Sequence, residues 1–316
     1  MIAEILKLIE EGRRFLVASH ESPDGDALAS TLALTNALRE MGKEVVAYNR
    51  DGVTSPFDFL PGSQTVVTCL DGEASFDAGF VLDAGELRRA GSHLKDSCRT
   101  LVNIDHHPHS ERFGSIHYVD EGASATGALI YRILRAAGHA ISIDVATCIY
   151  TAVLSDTGSF RYSNADPEAF QIGAEMVAKG VSPWAIASGL YESQGAERLR
   201  LLARALSTLT VSPCGRYASV AVTTDMYAET GTGPEHTDGF VNYPRSIRGV
   251  EVALFFRQTG PDVYKVGMRS KGQVDVGALS RHLGGGGHHN AAGAVVEGTI
   301  ETVRKVVFER LDHLLA

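Results

Sequence analysis

The sequence predicts an α/β protein: an N-terminal, mostly parallel sheet flanked by helices, followed by a smaller α/β domain. Three observations carry this expectation. Short apolar runs alternate with helical patterns through the first half, the rhythm of βαβ units. From about Val211 the pattern changes to longer strands followed by separate helices. At 316 residues the chain is long enough for two domains.

Ile2, Ile5, Leu6 and Ile9 recur at helical spacing and predict an opening helix. Residues 15–19 form an apolar strand. A loop holding Pro23 and Gly25 leads to a helix over 26–41, which Gly42 ends. Strands are expected at 44–48, 79–82, 100–104 and 116–119, and helices at 123–137, 143–154 and 168–179. A long helix at 194–209 leaves the first domain. In the second half, strands are expected at 217–223, 250–256 and 263–268, with helices at 276–283 and 301–315. The domain expectation is 1–190, a connecting helix or linker over 191–211, and 212–316. No internal repeat or low-complexity tract interrupts this order.

Hydrophobic residues make up 44% and charged residues 21%, which suits a globular core. The net charge of −9 argues against a broad basic face for duplex nucleic acid. Cys69, Cys98, Cys148 and Cys214 are scattered without a CxxC pair, so free thiols in a reducing compartment are expected. The acidic N-terminus does not read as a signal peptide, and no apolar run approaches the ~20 residues of a membrane span. A cytoplasmic protein without membrane contact is expected. Homodimers are the commonest assembly, which is the only ground for expecting one here.

Three of the strands end in ionisable residues. Strand 15–19 runs into His20, Asp24 and Asp26, strand 79–82 into Asp83, and strand 100–104 into Asp105, His106 and His107. Asp156 follows the apolar run 149–154. Open parallel sheets gather ligands at the carboxyl ends of their strands. Acids and imidazoles converging there point to a metal cage. Structural readings stand beside this one. Asp24 or Asp26 would cap the following helix. Asp83 and Asp156, each followed two residues later by glycine, would form turns. Capping does not call for ionisable residues at several other element ends as well. One carboxylate, such as Asp83, can bridge two metals through its two oxygens. Adjacent His106 and His107 point in different directions, so one can bind metal while the other faces substrate. Oxygen donors mixed with imidazole favour Mn²⁺ or Mg²⁺, with Co²⁺ or Zn²⁺ also compatible. His93, His109, His117 and His139 read as structural.

Residues 241–290 carry seven Lys/Arg against three Asp/Glu, a locally basic segment that ordinary surface charge would also explain. Within it, Gly284 to Gly287 can expose backbone N–H groups to an anion. His288, His289 and Asn290 follow directly. Phe240 and Tyr243 are candidates for base stacking, with core packing as the equal alternative.

The segments His20-x-x-x-Asp24-x-Asp26, Asp83, Asp105-His106-His107 and Asp156 resemble the four ordered motifs of the DHH phosphoesterases. Gly284-Gly-Gly-Gly-His288-His-Asn-Ala-Ala-Gly293 resembles the glycine-rich signature of the associated DHHA1 domain. The resemblance covers nearly the whole chain. The compact length and Asp238-Gly-Phe-Val-Asn-Tyr243 look most like the branch of oligoribonucleases that are also phosphatases of 3′-phosphoadenosine 5′-phosphate (pAp).

The resemblance implies two divalent metals, one held by His20, Asp24 and Asp83, the other by Asp26, Asp83, His106 and Asp156. It implies that Asp105 orients a neighbour and that His107 faces the scissile phosphate. Arg269, Ser270, His288 and the backbone of Gly285, Gly286 and Gly287 would contact substrate phosphates. The implied reactions are hydrolysis of short single-stranded RNA to mononucleotides and of pAp to AMP. A phosphodiesterase for cyclic or linear dinucleotides shares the same cage, as do inorganic pyrophosphatases and RecJ-like exonucleases. A nucleotide-binding regulator without turnover is the non-enzymatic reading.

Overall fold

A computed structural model describes residues 1–70, 75–287 and 289–315. The chain divides into two compact units, Met1–Ser193 and Gln194–Ala316.

The first unit holds strands β1 (Arg14–Ser19), β2 (Glu44–Tyr48), β3 (Val66–Val67), β4 (Phe76–Leu82), β5 (Cys98–Asp105) and β6 (Ile116–Val119). Their order is β3-β2-β1-β4-β5-β6 and every pairing is parallel. Both faces are buried, which explains why these strands read as continuous apolar runs. Phe15, Val17, Phe80, Leu82, Val102 and Ile104 face a cluster that includes helices Ile2–Glu11, Gly25–Glu40, Thr126–Ala136 and Ile143–Asp156. The alternate residues Leu16, Ala18, Val81 and Leu101 pack on the other face with Ala90 and Leu94.

Helix Gly25–Glu40 is buried almost all round, from Gly25 to Leu38 apart from Asn36. A helix in that position needs small residues where neighbours cross it. A Cβ on Gly25 would lie 2.2 Å from Ser155 Oγ, and one on Gly127 would lie 2.4 Å from Ala152 Cβ. These two glycines let the three helices Gly25–Glu40, Thr126–Ala136 and Ile143–Asp156 pack closely against one another. Helix Pro183–Tyr191, which the sequence reading did not anticipate, starts on a Ser182 cap with proline in its first turn.

The second unit holds β7 (Thr210–Val211), β8 (Tyr217–Val222), β9 (Val252–Gly260), β10 (Val263–Ser270), β11 (Gly286–Gly287) and β12 (Ala291–Glu297). The order is β11-β12-β10-β9-β8-β7, antiparallel except for the β8–β9 pair. Helices Val276–His282 and Ile300–Leu315 cover one face. Helix Ala196–Leu206 covers the other through Leu201, Leu202 and Ala205, so the stretch expected to connect the domains packs inside the second unit. Strand β12 escaped the sequence reading because Ala-Ala-Gly-Ala has little intrinsic strand preference. Among the described residues no helix is long and apolar enough to cross a membrane. All four cysteines are free.

Candidate metal centre

Strand order places the switch point of the first sheet between β1 and β4, where β2 and β3 lie to one side and β5 and β6 to the other. Ligands bind beyond the carboxyl ends of strands at such a point. The register brings the flanking residues level. Ser19 pairs with Leu82, and Leu82 with Ile104. The next residues, His20, Asp83 and Asp105, therefore leave three neighbouring strands side by side.

His20 is buried, and its Nδ1 lies 2.7 Å from the Glu21 carbonyl. With a proton on Nδ1 donated to that carbonyl, Nε2 is the coordinating nitrogen. Burial lowers the pKa of His20 and favours this neutral form. His20 Nε2 lies 4.0 Å from Asp24 Oδ1 and 3.8 Å from Asp83 Oδ2. Asp24 also caps helix Gly25–Glu40, accepting from Ala27 N at 3.0 Å. The capping and cage readings of Asp24 are thus compatible.

His106 repeats the arrangement. Its Nδ1 lies 3.1 Å from the Ala123 carbonyl. Its Nε2 lies 3.6 Å from Asp26 Oδ2, 3.6 Å from Asp83 Oδ1 and 3.7 Å from Asp156 Oδ2. Asp83 turns one oxygen toward each histidine, from a left-handed backbone (φ 58°) that aspartate tolerates better than most residues. Asp156 is the last residue of helix Ile143–Asp156, and its Oδ2 accepts from Asn164 Nδ2 at 3.0 Å.

Asp105 and His107 stand slightly apart. Asp105 is fully buried. Its Oδ1 accepts from His107 Nδ1 at 2.8 Å and from the backbone N–H groups of His106 and His107. Its Oδ2 accepts from Gly85 N at 2.9 Å and Ser110 Oγ at 2.5 Å. Burial alone would raise its pKa, but His107 and these donors outweigh it and hold the carboxyl down at about 2. Burial likewise opposes a charge on His107, and the Asp105 hydrogen bond and charge reverse this and raise its pKa.

Two groups of donor atoms could each hold a cation: His20, Asp24 and Asp83, and Asp26, His106 and Asp156. Asp83, His106 and His107 form a third such group. The donor chemistry fits a hard divalent ion. The electrostatics ask for one. Burial, then repulsion from Asp26 and Asp24, raises Asp83 well above the ordinary carboxylate range. Burial also raises Asp26 and pushes Asp156 up to about 7.

In folded protein freed of metal, these carboxyls keep protons that the unfolded chain releases at about pH 4. The folded state then binds more protons than the unfolded one, so stability falls as pH rises toward about 7. Melting temperatures with chelator and with Mn²⁺ should diverge over that window. A gap that does not change with pH would show that the acids are not strained.

Several functional partners were missed by sequence reasoning. Thr126 Oγ1 donates to Asp83 Oδ1 at 2.9 Å. Thr126 N and Gly127 N donate to the two oxygens of Asp26 at 2.6 and 3.0 Å, and Ser30 Oγ donates to Asp26 Oδ1 at 2.8 Å. The run of small residues Ser124-Ala-Thr-Gly127 spans a helix start but is too common a pattern to single these partners out. Of the residues read as structural, His139 lies 2.9 Å from Glu40 Oε2, and His93 packs its ring edge-on against Tyr48.

In the second unit, Arg269 Nη1 donates to the Met268 carbonyl and Ser270 Oγ donates to Asn290 Oδ1 at 3.2 Å. Gly286 and Gly287 form β11 and pair with β12. A Cβ on Gly285 would lie 2.2 Å from the Gly293 carbonyl oxygen, and one on Gly287 would lie 2.4 Å from Ala292 Cα. The close approach of β12 is therefore the first reason for glycine at these two positions. His288 lies outside the described residues. Phe240 is fully buried against Phe255 and so belongs to the core, which removes it as a stacking surface. Tyr243 is half-exposed.

The doubly covered parallel sheet, with acids and histidines beyond the carboxyl ends of its central strands, fits the phosphoesterases of the DHH family. The chain belongs to that family: residues 14–153 match the DHH family N-terminal domain and residues 217–315 the DHHA1 domain. Its relatives include the bifunctional oligoribonuclease and PAP phosphatase NrnA of Thermus thermophilus, 31% identical over 99% of this chain and 94% of the relative. The protein of the same name from Bacillus subtilis is 27% identical over 94% and 93%. Among solved structures, an exopolyphosphatase-related protein from Bacteroides fragilis superposes with a TM-score of 0.92 at 30% identity, covering 98% of this chain and 94% of that one.

Proposed function

We propose that this protein hydrolyses short single-stranded RNA to mononucleotides and pAp to AMP, with two divalent cations, preferably Mn²⁺. One observation carries the reading: six donor residues meet beyond the carboxyl ends of the central strands, in a chain that aligns over 99% and 94% of its length with relatives named for these two activities. His20, Asp24 and Asp83 hold one cation, and Asp26, Asp83, His106 and Asp156 the other. When bound, such ions supply positive charge to the phosphoryl oxygens and favour deprotonation of water near neutral pH.

The side chains do the rest. Asp83 faces both histidines and ties the two halves of the centre together. Asp105 holds the His107 ring through Nδ1. His107 then delivers a proton from Nε2 to the departing oxygen. On the second unit, Arg269, Ser270, the Gly285–Gly287 backbone and His288 are the groups assigned to phosphate binding, a task for which a planar guanidinium is suited.

The test is purified protein loaded with Mn²⁺ and offered di- to pentaribonucleotides, pAp, pGpG, cyclic diadenylate, pyrophosphate and single-stranded DNA. Mononucleotides and AMP with phosphate are the expected products, fastest from the first two. Protein that holds two ions and leaves both RNA and pAp intact would rule the reading out. Faster turnover of pGpG or cyclic diadenylate would establish the dinucleotide phosphodiesterase instead.

A further inference from the structure

The geometry points to Thr126 as a positioning residue that fixes the bridging carboxylate for one of the two cations and not the other. This rests on the two-cation reading above. Thr126 is fully buried and begins helix Thr126–Ala136. Its hydroxyl donates to Asp83 Oδ1 at 2.9 Å. That oxygen is the one turned toward His106 Nε2, at 3.6 Å, whereas Oδ2 is turned toward His20 Nε2, at 3.8 Å. A carboxylate is free to rotate about its Cβ–Cγ bond unless hydrogen bonds stop it. The Thr126 hydroxyl thus restrains the same oxygen that faces His106 Nε2.

The backbone of the same residue reaches a second acid of that group. Thr126 N donates to Asp26 Oδ2 at 2.6 Å and Gly127 N to Asp26 Oδ1 at 3.0 Å. Ala125, at the cap position, supplies no side-chain acceptor for the helix start. Asp26 takes over that role across 100 residues of sequence. The start of one helix therefore orients two carboxylates, and both orienting contacts fall on the His106 side. Among the described residues the Thr126 side chain makes no hydrogen bond to His20 or Asp24.

Outer hydrogen-bond partners of metal-binding side chains change affinity by about 10–100-fold when removed. Thr126→Val keeps the shape of the side chain and removes the donor. In calorimetric Mn²⁺ titrations of metal-stripped protein, one of the two binding steps should weaken by about 10–100-fold while the other stays within about threefold of wild type. Thr126→Ser, which keeps the hydroxyl, should restore both steps. Thr126→Ala removes the donor without a branched side chain and serves the same test if the valine variant does not fold. Circular dichroism of the metal-free variants checks folding independently of activity.

Two wild-type binding steps in the folded valine or alanine variant would overturn the proposal. So would equal weakening of both steps, which would show no preference between the cations, or failure of serine to restore binding, which would mark Thr126 as packing alone. Wild-type protein that binds fewer than two Mn²⁺ per chain would overturn the two-cation reading itself, and the role of Thr126 with it.

Discussion

Asp83→Asn is expected to abolish turnover while leaving the fold intact and the metal-free protein at least as stable as wild type. Asparagine accepts the left-handed backbone that Asp83 adopts and can still accept the Thr126 hydrogen bond. It cannot supply two anionic oxygens. The variant should lose more than the about 100-fold in metal affinity that marks an outer partner, with activity falling in parallel. Burial, followed by repulsion from Asp26 and Asp24, raises the pKa of Asp83, so its ionised form opposes folding when no cation is present. Removing that charge relieves the opposition. Metal analysis, rates on pAp and melting curves in chelator are the three measurements. Normal activity at normal metal content would refute the cage.

His107→Ala should behave differently. Its Nδ1 is engaged by Asp105 at 2.8 Å, and the ring stands at the edge of the centre with its side chain 25% exposed. A proton donor in that place contributes about 10²–10⁴-fold to rate. The variant should lose kcat by that factor while it binds Mn²⁺ with wild-type stoichiometry. Asp105→Asn should produce a related loss by favouring the wrong ring tautomer, as in other histidines oriented by a buried carboxylate. His107 Nδ1 also lies 3.5 Å from Asp83 Oδ1. Loss of metal on His107→Ala would therefore reassign this histidine to the cage.

The contrast between these two substitutions shows which parts of the site the sequence exposes. Acids that terminate apolar runs stand out because a buried parallel strand has no structural need for them. His20, Asp83 and Asp105-His106-His107 were legible for that reason, and strand order then brings them level. Thr126, Ser110, Gly85 and Asn164 were not legible. Each acts through a hydrogen bond to a partner fixed by tertiary contact, and serines, threonines and glycines near element ends are too common to single out. The second sheet was half legible. Strands β8, β9 and β10 carry branched and aromatic residues, whereas β11 and β12 are built largely from glycine and alanine and pair through backbone approach. Phe240 shows the same limit: an aromatic residue reads alike whether it stacks on a base or fills a core.

Asp26 supports a helix that begins a hundred positions later in the chain. During synthesis from the amino end, domains fold once their residues are available. The earliest acids emerge with neither their amide donors nor their remaining partners, and Asp156 completes the set only 130 positions after Asp26 (156 − 26). No short fragment can reproduce this centre. A truncation before residue 126 leaves buried carboxylates without the donors that quiet them, so solubility in such fragments should fail before catalysis can be measured.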